Sequence, residues 1–403
     1  MTAASTQDPG PARWRIAVLS RHFDAAAGGA ERYTVALAHE LAARHEVHVF
    51  AQHFGADLPA GLTLHAVRGA LRRPRWLNQL GFAVMAGWAT RQGFDIVHSH
   101  ENTWSGSVQT MHVRSVRVNL FGARRGWRLA LAWAKVLTSP RLLTYVVLEG
   151  LRLRASPTRR VVAVSDPLRS ELLTVYPALE QAGVPVVNPG VELPALLAPS
   201  QRAELRQGLG LAANQQVLLH VANDHEKKGL PAILQALARL ALPDLLLVVV
   251  GDQRHHDRTL ALARQLGIDR QLRLTGKLTD PSPWYQAADV LVHPALEDTF
   301  GMVVAEALSH ALPVIVSASP WCGIAAGLAD GVEAVVLPDP RDVDRLTEAL
   351  RSLCADAPRR AALGAAGRDH ARRYAWPALA ARYEAIYAEL LAPGALPRRS
   401  GAG

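Results

Sequence analysis

Residues 217–251 read VLLHVANDHEKKGLPAILQALARLALPDLLLVVVG. Residues 217–222 and 245–251 are near-continuous apolar runs, the pattern of strands covered on both faces of a parallel sheet. Between them Leu230, Ile233, Leu234 and Leu237 recur at helical spacing, so residues 230–240 form a helix with one apolar face. Strand, helix and strand in this order predict a doubly wound α/β domain.

The same alternation extends in both directions. Downstream, residues 272–275, 290–294, 314–317 and 335–337 read as further strands. Upstream, residues 14–20, 47–51, 95–100 and 161–165 read as strands. Residues 28–44 form a helix in which Tyr33, Leu37 and Leu41 recur every fourth position. The two series are separated at residues 188–200, where Pro189, Pro194 and Pro199 follow Pro185. A chain of 403 residues suits two domains of roughly 150–200 residues. The expected fold is therefore α/β, with two Rossmann-like doubly wound domains facing a cleft. The first spans 13–192 and the second 200–372; residues 1–12 and 392–403 are loose tails rich in Pro, Gly and Ala. Ligands of such sheets sit at the carboxyl ends of strands.

Composition narrows the function classes. At 49% hydrophobic and 20% charged residues the chain is globular rather than disordered. Two cysteines, Cys322 and Cys354, make no disulfide framework, and no Cys/His spacing matches a zinc site, so no metal is expected. The polar start holds no apolar stretch of a signal peptide, and no run of about 18 apolar residues predicts a spanning helix. A cytoplasmic protein is expected. The net charge of +9 suits phosphorylated substrates, nucleic acid or an anionic membrane. No nucleic-acid-binding module is recognisable.

Four motifs carry chemistry. Gly28-Gly29 opens the first helix after the first strand, where a bare backbone and free N–H groups suit phosphate. Lys227 and Lys228 precede Gly229 at another helix entrance and can neutralise a diphosphate, although lysine pairs also stand on ordinary surfaces. Residues 297–307, EDTFGMVVAEA, follow the strand 290–294. There Thr299 is the expected N-cap, Gly301 opens a helix, and Glu306 lies on an apolar helix. A carboxylate so placed needs a partner, and a sugar or ribose diol would supply one. Asp298, eight residues earlier, can point to the same place; an ordinary salt-bridged pair is the alternative. His112 ends a strand in the first domain.

At these residues the chain resembles the retaining glycosyltransferases of family 4, of GT-B fold, from Trp14 to about Leu391. The family's donor motif, a carboxylate followed eight positions later by Glu, stands here as Asp298 and Glu306 around Phe300-Gly301; the family usually has Glu at the first position. The resemblance implies that Glu306 holds the ribose hydroxyls and Asp298 contacts the donor sugar. The backbone at Phe300 and Gly301 would face sugar and phosphate. It also assigns Lys228, with Lys227 beside it, to the diphosphate, Gly28 and Gly29 to a loop approaching the phosphate, and His112 to the neighbourhood of the sugar. Residues 188–191 look like the family's hinge-side loop, and the final helix, 374–391, like the one that packs back on the first domain.

Between Val221 and Gly327 the chain is most similar to lipopolysaccharide core glucosyltransferases, through Lys227-Lys228-Gly229, His293-Pro294-Ala295 and Gly323 after Trp321-Cys322. The implied reaction moves a hexose from a nucleotide sugar, UDP favoured, to a saccharide or lipid-linked acceptor of the cell envelope. It needs no further cofactor.

Two basic, tryptophan-bearing stretches, residues 71–76 and 124–135 with Arg152, Arg154, Arg159 and Arg160 beyond, suit peripheral contact with an anionic membrane. A nucleotide-sugar epimerase or phosphorylase on the same fold, or a protein that only binds nucleotide sugars, are the alternatives.

Overall fold

The computed structural model describes residues 13–25, 27–68, 73–122, 124–252 and 256–392. The strands in chain order are β1 (Arg15–Leu19), β2 (His22–Phe23), β3 (Glu46–Ala51), β4 (His53–Phe54), β5 (Leu62–Ala66), β6 (Ile96–Ser99), β7 (Val108–Met111) and β8 (Arg160–Ala163). They continue as β9 (Gln216–Ala222), β10 (Leu245–Gly251), β11 (Leu272–Gly276), β12 (Val290–His293), β13 (Val314–Ser317) and β14 (Val335–Leu337).

Two six-stranded sheets result, in the orders β5-β3-β1-β6-β7-β8 and β11-β10-β9-β12-β13-β14; β2 and β4 form a separate small pair. Every pairing in the two large sheets is parallel. The expected α/β fold, with two doubly wound sheets, is the observed one.

The second sheet shows why its strands read as unbroken apolar runs. Val217, Leu219, Leu246, Val248, Leu291, Val314 and Val316 pack into a core on one face. Leu218, Leu245, Leu247, Val249, Val290, Val292 and Ile315 pack on the other. Side chains alternate between faces along a strand, so two buried faces require an apolar residue at every position.

The chain divides into two compact units. One comprises Met1–Ala163, Glu171–Val187 and Ala380–Gly403; the other comprises Val164–Ser170 and Asn188–Leu379. The final helix, Trp376–Leu391, contributes buried Tyr383 and Tyr387 to the first unit. Tyr383 shares a 2.7 Å hydrogen bond with Tyr33, and Tyr387 one of 2.7 Å with His98 Nδ1.

Between β5 and β8 lie helices that the sequence reading passed over, among them Arg75–Ala89, Trp127–Leu137 and Pro140–Arg152. Of the two basic stretches, Leu71 and Arg72 lie outside the described residues. Arg152 and Arg159, assigned above to a basic surface, instead serve the fold. Arg152 is buried and donates to Gln109 Oε1 at 3.0 Å, while Arg159 donates to the carbonyls of Gly106, Leu151 and Trp104. Arg152 ties the helix Pro140–Arg152 to β7, and Arg159 holds the loop between β6 and β7, because a guanidinium can satisfy several acceptors at once. Among the described residues no helix is long and apolar enough to cross a membrane.

Candidate functional site

The carboxyl ends of β9 and β12 carry the loops in which most candidates fall. After β9, residues 223–228 lead to Gly229, which caps the helix Leu230–Leu240 in a left-handed conformation, φ 81°. A Cβ here would stand 2.1 Å from the carbonyl oxygen of Pro294, in the loop after β12. The two loops thus meet backbone against backbone, and only glycine allows it. Gly229→Ala is expected to cost about 1–2 kcal/mol in torsion alone, before the displacement of Pro294. At about 2–4 °C per kcal/mol this lowers the melting temperature by several degrees in a thermal unfolding scan.

That contact places Lys228 on the second loop. Its ammonium donates to the Glu297 carbonyl at 2.6 Å and pairs with Asp298 Oδ2 at 2.9 Å. An ammonium has three N–H donors, so one remains for an incoming oxygen. Lys227 pairs with Glu297 Oε2 at 3.2 Å; both are largely exposed, so this pair contributes little to stability.

Asp298 has a second partner that the sequence reading missed, His293 Nε2 at 2.9 Å. Burial alone would raise the Asp298 carboxyl. The His293 hydrogen bond and the Lys228 charge outweigh that and hold it well below the usual carboxylate range. Its backbone is clamped as well: Asp298 N–H donates to Trp321 O at 2.8 Å and Gly323 N–H to Asp298 O at 3.1 Å. His293, Asp298 and Cys322 bring ligand atoms within 4.8 Å of one another. The Lys228 ammonium already occupies Asp298, however, and burial pushes the Cys322 thiol well above its ordinary pKa. His293 and Lys228 together hold the Asp298 carboxylate, while Cys322 Sγ donates to Phe300 O at 3.5 Å.

Phe300 is buried edge-on against Tyr374, and its carbonyl accepts Ile324 N–H at 2.7 Å. Its side chain is core, so only its remaining backbone can face a ligand. Thr299 is not the cap. Gly301 holds that position at φ 99°, with the helix Met302–Ser309 following. A Cβ on Gly301 would stand 2.6 Å from Cys322 Sγ. A glycine cap has no side chain to accept from the first N–H groups of the helix.

Glu306 is half-buried, and its Oε2 accepts the Tyr285 hydroxyl at 2.7 Å. The carboxylate on the apolar helix thus has one protein partner, the Tyr285 hydroxyl. Lys228, Asp298 and His293 form one connected group; Glu306 is paired instead with Tyr285.

In the first unit, Gly28 caps the helix Gly29–Ala42 with extended backbone, φ 174°, which any residue adopts. A Cβ added at Gly29 would meet nothing within 4 Å, whereas one added at Gly28 would stand 2.7 Å from the Glu31 carboxylate, which lies in the first turn of the same helix. His112 follows β7 but does not stand alone. Its Nε2 is 2.9 Å from His100 Nδ1, beyond the end of β6, and the Tyr33 ring packs edge-on at 4.8 Å. Burial, with the Arg152 charge second, lowers the His112 pKa to about 3, so the ring is neutral at ordinary pH.

Known proteins bear on these residues. The family described as "Glycosyl transferases group 1" matches residues 201–370, and "Glycosyltransferase Family 4" matches residues 27–194. A D-inositol 3-phosphate glycosyltransferase of Thermobispora bispora is 30% identical over 91% of this chain and 90% of its own. Among solved structures, that of WaaG, a glycosyltransferase involved in lipopolysaccharide biosynthesis, aligns with a TM-score of 0.77 at 23% identity over 92% of this chain and 99% of WaaG. Anabaena HepE in complex with UDP and glucose aligns at 0.67 and 18% identity over 93% and 99%. With both domains matched and a relative of this identity aligned over nearly its whole length, the chain belongs to the family 4, group 1 glycosyltransferases, GT-B enzymes that transfer a glycosyl group from a nucleotide sugar.

Proposed function

We propose that this enzyme transfers a hexose with retention from a UDP-sugar to a saccharide or lipid-linked acceptor of the cell envelope. The observation that carries the donor reading is Lys228, partly buried and aimed by Asp298 and the Glu297 carbonyl with one N–H to spare. Lys228 would hold the diphosphate, with Lys227 beside it. The helix entrance at Gly301 would add N–H groups to that charge, and by the family likeness the loop at Gly28 and Gly29 would offer its backbone to a phosphate. Glu306 would hold the ribose diol, with Tyr285 fixing its carboxylate. Asp298 would contact the sugar, and His112, being neutral, would donate a hydrogen bond rather than take a proton. UDP is favoured because HepE, of the same fold, is solved with UDP and glucose.

In the reaction the sugar's anomeric carbon breaks its bond to the diphosphate oxygen. It forms one to the acceptor oxygen on the same face, and the acceptor proton passes to the departing diphosphate. The lysines stabilise the charge that grows there. The likeness to WaaG favours a lipopolysaccharide-type acceptor, and the 30% identical relative favours D-inositol 3-phosphate as a second reading.

The donor reading is tested by thermal protection and calorimetry with UDP-, GDP- and ADP-sugars. One donor is expected to bind, and Glu306→Ala is expected to weaken it by about 10–100-fold, the loss of a hydrogen bond to a charged group. No binding of any nucleotide sugar overturns the reading. Assays with a lipopolysaccharide-core saccharide and with D-inositol 3-phosphate then separate the two acceptors.

Peripheral contact with an anionic membrane is part of the same proposal. The helix Trp127–Leu137 exposes Trp127 (68%), Leu131 (59%) and Leu137 (67%). Arg124, Arg125, Arg128, Lys135 and Arg141, all exposed, stand near them in sequence, and the Arg128 guanidinium lies 5.5 Å from the Trp127 ring centre. Exposed apolar side chains on a helix rich in cations suit the headgroup boundary of anionic lipid. Trp127→Ser with Leu131→Ser is expected to reduce sedimentation with anionic vesicles at least about tenfold. Equal sedimentation of the variant overturns the contact.

A further inference from the structure

His100 and His112 meet through Nδ1 and Nε2 at 2.9 Å, their ring planes 20° apart. Both rings are neutral, because burial lowers each pKa. A single proton therefore lies between the two nitrogens, and one ring must donate while the other accepts. If His112 donated from Nε2, His100 would carry its own proton on Nε2. That atom is buried with no partner. A buried N–H without an acceptor is the costlier orphan, by about 1–3 kcal/mol. The alternative places the proton on His100 Nδ1 and leaves Nε2 bare. His112 Nε2 then accepts, and the His112 proton resides on Nδ1. His112 is half-buried, and among the described residues its Nδ1 has no hydrogen-bond partner.

We propose that His100 is a positioning residue: it fixes His112 in the tautomer that turns an N–H, not a lone pair, toward a hydroxyl or ester oxygen of the donor sugar. This rests on the reading above that His112 faces that sugar. His100 is itself held rigidly. Its N–H donates to Leu19 O at 3.0 Å, and its ring packs 4.2 Å from that of His98. His98 is fixed by Tyr387 and by Thr110 at 2.7 Å each, and Thr110 by Tyr383 at 2.8 Å. His112 is held from the other side by the edge-on Tyr33 ring. Neither ring can flip without breaking this chain, so the direction of one hydrogen bond sets what His112 presents.

The test compares His112→Ala, His100→Leu and His100→Asn in the full chain. The amide of Asn can place an N–H where Nδ1 stands; Leu cannot. The quantity read is the ratio of the dissociation constants of UDP-glucose and UDP, or of the GDP or ADP pair if the panel above selects it. His100→Leu is expected to cost about tenfold in sugar-nucleotide affinity with free nucleotide unchanged, and His100→Asn to restore most of it. Nitrogen-15 spectra of the wild type are expected to show His112 Nε2 as the bare nitrogen. Wild-type behaviour of His100→Leu while His112→Ala is impaired overturns the positioning role, as does equal loss of both ligands or a protonated His112 Nε2. Wild-type behaviour of His112→Ala overturns the assignment of His112 itself.

Discussion

Lys228→Ala is expected to lower turnover by about 10²–10³-fold, the effect of removing one preorganised group that stabilises developing charge. The lysine makes both of its protein contacts at the end of its side chain, to Glu297 O and Asp298. It is therefore already aimed before any donor binds, and little reorganisation is left for the moment of bond breaking. Steady-state kinetics in the selected donor should show the loss mainly in kcat, because charge on the diphosphate grows as the glycosidic bond breaks. A loss confined to KM would reassign Lys228 to uniform binding. An unchanged rate would remove it from the chemistry.

Asp298→Asn is expected to produce the largest loss of stability. Asp298 is mostly buried between Lys228 and His293, and deleting its charge leaves the ammonium uncompensated, at about 3 kcal/mol for a broken buried pair. At about 2–4 °C per kcal/mol the melting temperature should fall ~6–12 °C. The pH dependence has a definite sign. The folded carboxyl titrates below the unfolded one, so its contribution is fully present above the unfolded pKa of about 3.9. It is lost as the pH falls through the folded value. Chemical unfolding should accordingly show the gap between wild type and variant constant near neutrality and shrinking only below about pH 4. A gap that shrinks near pH 6 would transfer the effect to a histidine.

The legible parts of the chain and the illegible ones differ in how burial is distributed. Strands such as Leu245–Gly251 are buried at every position and so announce themselves in composition. Leu62–Ala66 is an edge strand, half-exposed throughout, and has no such signature. The helices Trp127–Leu137 and Pro140–Arg152 place Leu131, Leu137, Leu143, Val147 and Leu151 outward. Their apolar residues therefore lie on two faces, and the helical period is blurred. In the site, Lys228 and Asp298 were found through a motif, and the structure joins them. His293 was quoted only for the family likeness and not as a partner of Asp298, and Tyr285 and His100 were not found, because these two act by touching a partner on another helix or strand. Tyr285 and Glu306 are 21 positions apart and His100 and His112 are 12 apart, and no local pattern marks such pairs.

Tyr383 and Tyr387 belong to the first unit by contact but to the last stretch of the chain by sequence. On a ribosome, β1 through β8 emerge long before them. Until the closing residues are synthesised, the Tyr33 hydroxyl and His98 Nδ1 face a gap where two aromatic side chains belong. The amino-terminal unit therefore acquires these two core residues only after the strands of the carboxyl-terminal sheet have been made.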